Sequence, residues 1–261
     1  MTPLPVTSLI LIHGAWAGAW VWDGLAPRLH DAGFDTHAVD LPGNGHDRTP
    51  AQKADLDACV ARVRALIDTL SGPVGLVAHS GGGMVATQVA EAVPERITGV
   101  AYVAGMMLPS GTGFADITRA IKPQHPEASG IVPHLVWNHD RSASSVPADA
   151  ARRIFFQDVE DSLARAAAAR LTPQPEPARA AVPRWTTERF GRLPRLYVEA
   201  LRDRSVVPAA QRRMQALVPG ATVVHLDCGH APQLSKPEQL TAALVHFFKK
   251  IGDPGPRGIP A

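Results

Sequence analysis

The sequence predicts an α/β protein: a mostly parallel sheet with helices on both faces and a helical lid inserted before the last two strands. Two observations predict this. Over the first 107 residues, short apolar β runs alternate with helical stretches, the rhythm of strand–helix–strand crossovers. That rhythm disappears between about 108 and 192 and then returns.

Residues 8–12, Ser-Leu-Ile-Leu-Ile, form a continuous apolar run, as a strand covered on both faces requires. Residues 17–32 read as a helix. A strand over 35–40 ends in Asp40, and the turn Leu41-Pro42-Gly43-Asn44-Gly45 follows. Across 53–70, Leu56, Val60, Val63, Ile67 and Leu70 recur at helical spacing. After Pro73 a buried strand runs from Val74 to Ala78, then a helix over 82–93 and a strand over 97–103. In the insertion, prolines cluster at 123, 126, 133 and 147 and again at 173, 175, 177 and 183. Helices are expected there near 148–157 and 159–170, and no strand. Downstream, 195–199 reads as a strand, 208–217 as a helix, 222–226 as a strand and 236–249 as a helix. One domain over 1–251 is expected to carry the lid at about 108–192. A Gly- and Pro-rich tail over 252–261 is expected to be poorly ordered.

Composition narrows the function classes. Hydrophobic residues make up 45% and charged residues 19%, a globular balance. The formal net charge is +2, and the arginines are scattered, as at Arg152, Arg153, Arg212 and Arg213, so no nucleic-acid footprint is expected. Cys59 and Cys228 have no metal-type or C-x-x-C partner and read as reduced thiols. His125, His134 and His139 lack ligand-like spacing, so no metal site is expected. No apolar stretch approaches the roughly 20 residues of a membrane span, and no signal-peptide pattern precedes residues 8–12. A cytoplasmic protein without a membrane partner is the expectation.

Chemistry concentrates at a few positions. Ala78-His79-Ser80-Gly81-Gly82 has a strand before it and a helix after it. A nucleophilic serine on so sharp a turn needs small residues two positions to either side, because the backbone segments approach closely. The helix behind it directs its N-terminal dipole at the site, which favours negative charge there. On such elbows the acid and the histidine follow in that chain order. His230 is the histidine between the last strand and the last helix, and is the expected general base. Asp203 lies in the loop after strand 195–199 and is the expected acid. Its rivals are Glu199, still on the strand and facing sideways, and Asp227, better suited to capping the loop. The two oxyanion donors are expected to be the backbone N–H groups of Gly81 and of Ala15, in the loop His13-Gly14-Ala15-Trp16. His13 is expected to brace that loop, and His79 to face away from the substrate.

These four features together resemble the α/β-hydrolase superfamily. More closely, they resemble the branch of plant salicylate-type methylesterases, plant hydroxynitrile lyases and bacterial carboxylesterases, pyrethroid-hydrolysing ones included. Thr187-Glu188-Arg189-Phe190-Gly191, the run from Pro194 to Ala200, and Gln211-Arg212-Arg213-Met214 are typical of that branch. The resemblance extends to about Lys250. It implies a serine carboxylesterase that cleaves small to medium apolar or aryl esters through an acyl-enzyme, without a cofactor. Many relatives place a larger residue directly after the serine, and Gly81 here opens space near the acyl pocket.

The alternatives are a carbon–carbon lyase acting on cyanohydrins and a ligand receptor built on a silenced hydrolase. The plant lyases carry a lysine directly after the catalytic histidine and a threonine after the first-loop histidine. Ala231 and Gly14 stand in those places, so ester hydrolysis without cyanohydrin cleavage is expected, with Gly14 leaving room for the hydrolytic water. Epoxide hydrolases and dehalogenases resemble relatives with Asp where Ser80 stands. The apolar pocket is expected to use Trp16, Met107, Leu108, Trp137, Phe155 and Phe156. Trp137 leads because it follows His134-Leu135-Val136 in a segment without helical character. The expected partners are a small-molecule ester and water, with a homodimer as the assembly to test.

Overall fold

The computed structural model describes residues 8–252. The sheet strands are β1 (Ser8–Ile12), β2 (Asp35–Val39), β3 (Val74–His79) and β4 (Ile97–Val103). The insertion adds β5 (Val136–Trp137), β6 (Ala143–Ser145) and β7 (Gln174–Pro175), and the chain closes the sheet with β8 (Arg195–Ala200) and β9 (Thr222–Leu226). The main sheet has the order β2-β1-β3-β4-β8-β9, with every pairing parallel. Its helices are α1 (Ala26–Asp31), α2 (Leu56–Thr69) and α3 (Gly82–Ala92). The insertion carries α4 (Phe114–Ile121), α5 (Ala148–Ile154), α6 (Asp161–Ala169) and α7 (Glu176–Arg179). After it come α8 (Pro208–Leu217), α9 (Pro232–Ser235) and α10 (Pro237–Gly252).

The apolar runs are continuous because alternate residues feed two cores. Ile10, Ile12, Leu76, Ala78, Val100 and Tyr102 pack with Val60, Val63 and Ile67 of α2 and Val85 and Val89 of α3. Leu9, Leu11, Val77, Ala101, Val103 and Val198 face the other way, onto Leu29 of α1 and Leu240, Leu244 and Phe248 of α10. A further cluster joins the insertion to the sheet: Phe155, Phe156 and Ala167 pack with Trp16 and Ala231.

The structure corrects the sequence reading in two places. The helix expected over 17–32 is broken into a 3₁₀ turn over Ala19–Trp22 and the short α1. Gly18 and Gly24 weaken the helix, and Pro27 permits only its first turn. The insertion is not purely helical, because β5, β6 and β7 form a small antiparallel sheet. Strands of 2, 3 and 2 residues, one ending in proline, show no period from which they could be read. Helices α5 and α6 are also shorter than expected. Gly252 is the last residue of α10, and the rest of the expected tail lies outside the described residues.

Candidate active site

β3 ends at His79, and Ser80 turns into α3 with φ of 50°. This left-handed conformation costs a residue with a Cβ about 1–3 kcal/mol, and the surrounding structure must impose it. Here the Ser80 amide donates to the Val103 carbonyl at 3.1 Å. Its own carbonyl accepts from Gly83 at 3.0 Å and Met106 at 2.9 Å. The packing leaves no room for side chains behind it. A Cβ on Gly82 would lie 2.5 Å from the His13 carbonyl oxygen, and one on Gly83 2.8 Å from the Met106 nitrogen.

The loop after β9 brings His230 over this turn. Its Nε2 lies 3.1 Å from Ser80 Oγ, and its Nδ1 lies 2.8 Å from Asp203 Oδ2. All three side chains are buried. With Nδ1–H donating to the carboxylate, Nε2 is the acceptor that can take the hydroxyl proton. Asp203 is oriented in turn: its Oδ1 accepts from Ser205 N at 2.7 Å and Val206 N at 3.0 Å. Glu199 faces elsewhere, pairing with Arg212 at 2.8 Å, and Asp227 pairs with Arg202 at 2.8 Å on the surface.

Two other histidines brace the site. His13 Nε2 accepts from Leu41 N at 3.0 Å while its Nδ1 donates to the Gly14 carbonyl at 2.7 Å. His79 points behind the elbow, where its Nε2 donates to the His230 carbonyl at 2.7 Å. Burial lowers both imidazoles below the usual histidine range, His79 well below it. Both are therefore neutral scaffolding near pH 7.

The amides of Ala15 and Gly81 donate to no protein acceptor among the described residues. The two segments lie close together, since a Cβ on Gly81 would lie 3.7 Å from Ala15 N. They open onto a cavity of about 580 Å³ that reaches Ser80 and is bordered by Met84, Met106, Phe114 and Ile131. A volume of that order holds a small-molecule ligand. Cys59 borders the same cavity, but burial pushes its thiol up to about 12, so it stays protonated near neutrality. Among the described residues no His, Cys, Asp or Glu cluster could hold a metal ion.

Trp16 does line the cavity. Phe155 and Phe156 border a small niche beside Ser80, together with Trp16 and His230. The other pocket expectations need correction. Met107 and Leu108 are fully buried and pack into the cores, leaving Met106 to line the cavity. Trp137 stands on β5, with the guanidiniums of Arg141 and Arg179 over its ring at 4.6 and 5.7 Å, and borders neither cavity nor niche. Nor does Gly14 leave empty space: a Cβ there would lie 2.8 Å from Ser80 Cβ.

Sequence reasoning also missed polar residues that hold the site from a distance. Gln174 of β7 accepts the Trp16 amide at 2.9 Å, and Trp16 Nε1 donates to the Ser144 carbonyl at 3.0 Å, so the lid sheet clamps the loop after β1. Gln211 of α8 holds the Asp203 loop. Its Oε1 accepts from Ala200 N at 3.0 Å, and its Nε2 donates to the carbonyls of Val206 at 2.7 Å and Ala200 at 3.0 Å. The Gln211-Arg212-Arg213-Met214 segment was the available signal for Gln211. Nothing local marked Gln174.

The sequence profile of the alpha/beta hydrolase family matches residues 9–244. The chain belongs to this family. A pyrethroid hydrolase of Sphingobium wenxiniae is similar to this hydrolase, 28% identical over 257 residues that cover 94% of this chain and 88% of that protein. Methylesterase 7 of Arabidopsis thaliana is 28% identical over 266 residues, covering 92% of this chain and 96% of its own. The crystal structure of a pyrethroid hydrolase from Sphingobium faniae superposes with a TM-score of 0.82 at 27% identity, covering 93% of this chain and 97% of that one. The expected resemblance to the branch of plant methylesterases and pyrethroid-hydrolysing enzymes therefore holds for this hydrolase.

Proposed function

We propose that this α/β-hydrolase is a single-domain serine carboxylesterase with Ser80 as nucleophile, His230 as base and Asp203 as the acid that orients it. The observation that carries this reading is the continuous Asp203–His230–Ser80 hydrogen-bonded chain opening onto the cavity beside two unengaged amides. The names of the relatives, hydrolases and esterases, support the same class.

His230 Nε2 takes the Ser80 proton as Oγ attacks the ester carbonyl. Charge that develops on the carbonyl oxygen is met by the Ala15 and Gly81 N–H groups; removal of one such donor elsewhere costs about 10²–10³ in rate. The protonated His230 is stabilised by Asp203 and returns its proton to the departing alkoxide. Water activated by the same imidazole then releases the acid and frees Ser80. The substrate class is small to medium apolar or aryl esters, since the cavity walls around Ser80 are mostly apolar. The partners are that ester and water. Cyanohydrin cleavage is not expected, because Ala231 supplies no charge beside His230 and any side chain at position 14 would press on Ser80.

The test is a panel of 4-nitrophenyl esters assayed beside mandelonitrile at equal enzyme concentration. Ser80→Ala is expected to abolish ester turnover with the fold retained, and His230→Ala to fall to a similar residual rate, because triad members act as a unit. Wild-type-like ester turnover in Ser80→Ala, or Ser80-dependent cleavage of mandelonitrile faster than of the esters, overturns the reading.

A further inference from the structure

The lid segment between α5 and α6 does more than cover the site. Asp158 Oδ2 accepts the amide of Gly229, the residue before His230, at 2.6 Å. Gln157 Nε2 donates to the carbonyl of Arg202, the residue before Asp203, at 2.8 Å. Arg204, directly after Asp203, donates through Nη1 to the Arg153 carbonyl at 3.1 Å. The Phe155 ring lies over the His230 ring at 5.4 Å between centroids. One short stretch of lid therefore touches both loops that complete the Ser80 relay.

We propose that Gln157 and Asp158 are positioning residues that hold His230 and Asp203 in reacting geometry, an inference that rests on the serine-hydrolase reading above. The two loops also bond one another: Leu201 N donates to the Leu226 carbonyl at 3.0 Å, Arg202 N to the Cys228 carbonyl at 2.9 Å and Arg202 Nη2 to the Asp227 carbonyl at 3.0 Å, but none of these bonds engages the Gly229 amide. The buried Gly229 amide has Asp158 as its acceptor. His79 holds the His230 carbonyl, so the main chain is held at the peptide after His230 and at the Cys228–Gly229 peptide one residue before it. Release of either one is expected to let the main chain rotate and swing the imidazole away from Ser80 Oγ. A displacement of about 1 Å at a reacting group can cost about a hundredfold in rate.

The fit is specific to glycine at position 229. A Cβ there would lie 2.5 Å from both Asp158 Oδ1 and Gln157 Nε2. The lid pair occupies the space that a side chain on the histidine loop would otherwise fill. Neither Gln157 nor Asp158 lines the cavity or the niche, so substrate contact does not explain their placement.

The experiment compares Asp158→Ala, Asp158→Asn and Gln157→Ala with the wild type, reading kcat and KM on 4-nitrophenyl acetate and the rate at which a fluorophosphonate probe labels Ser80. Asp158→Ala is expected to lower kcat about ten- to a hundredfold with KM within about twofold, and to slow labelling in proportion. Asp158→Asn keeps an oxygen acceptor for Gly229 and is expected to stay within about threefold of wild type. Gln157→Ala should lower kcat at near-constant KM, and it carries the test if Asp158→Ala does not fold. A kcat within about twofold of wild type in both alanine variants overturns the inference. So does a rise in KM at constant kcat, or an Asp158→Asn protein as impaired as Asp158→Ala. Absence of Ser80-dependent ester turnover in the wild type strikes the parent reading instead, and the labelling rates still report on the lid pair.

Discussion

His13 and His79 show how single residues tie the site to pH. Each is buried, each is engaged by backbone groups, and burial holds each below the ordinary histidine range. In the unfolded chain both titrate near 6.5. Below that value the unfolded chain takes up protons that the fold refuses, so their contribution is fully present above about 6.5 and is lost as pH falls. Each imidazole then weakens the folding equilibrium by up to about tenfold per pH unit, until its folded value is reached. Urea unfolding midpoints should be level from pH 8 to 7 and fall from pH 6 to 5, with a shallower fall in His79→Gln. A midpoint unchanged down to pH 5 would contradict neutral burial of this pair. Ser80 shows the complementary case, a residue whose left-handed backbone is legible from the small residues around it. The contacts that enforce it, from Val103 and Met106, come from a neighbouring strand and loop.

At the scale of elements, the crossovers with strong periods were legible. β1, β4, α8 and β9 have the bounds that their apolar patterns imply. The periods fail where packing replaces them, in the lid strands and in the broken segment before β2. α8 illustrates what an element does beyond its apolar face. Gln211 is fully buried and stitches the end of β8 to the acid loop. Gln211→Ala strands several buried backbone groups, each worth about 1–3 kcal/mol when left unmade. The expected loss in urea denaturation is about 3 kcal/mol or more, with kcat falling as Asp203 loosens. A loss below about 1 kcal/mol would mean that water or a neighbour replaces the amide.

At the scale of the molecule, the cavity is a product of two parts brought together. Its floor is the first loop and the Ser80 turn, and part of its wall is α4 of the lid, which presents Phe114 and Thr118. Filling that wall should shorten the accepted ester. Thr118→Trp is expected to lower kcat/KM for octanoate about tenfold or more while the acetate ester stays within about threefold, since a bulky side chain there removes volume and not chemistry. Equal losses on both esters would place Thr118 outside the acyl path. No helix among the described residues is long and apolar enough to cross a membrane.

The strand rhythm, the elbow and the Ser–Asp–His order were written locally: each depends on residue type at short spacing, and period and chain order carry it. Ser80, Asp203 and His230 were singled out that way, and the structure brings them within hydrogen-bonding distance. The pocket was not written locally. Trp137 and Met107 had the right chemistry but face Arg141 and the core, whereas Phe114 and Ile131 reach the cavity. Which way a lid side chain points depends on how short, proline-broken segments pack on the sheet, and no local period encodes that packing. The same holds for Asp158 and Gln174. Each bonds a residue far away in sequence, at Gly229 and Trp16, and that partnership exists only once the lid has closed on the loops.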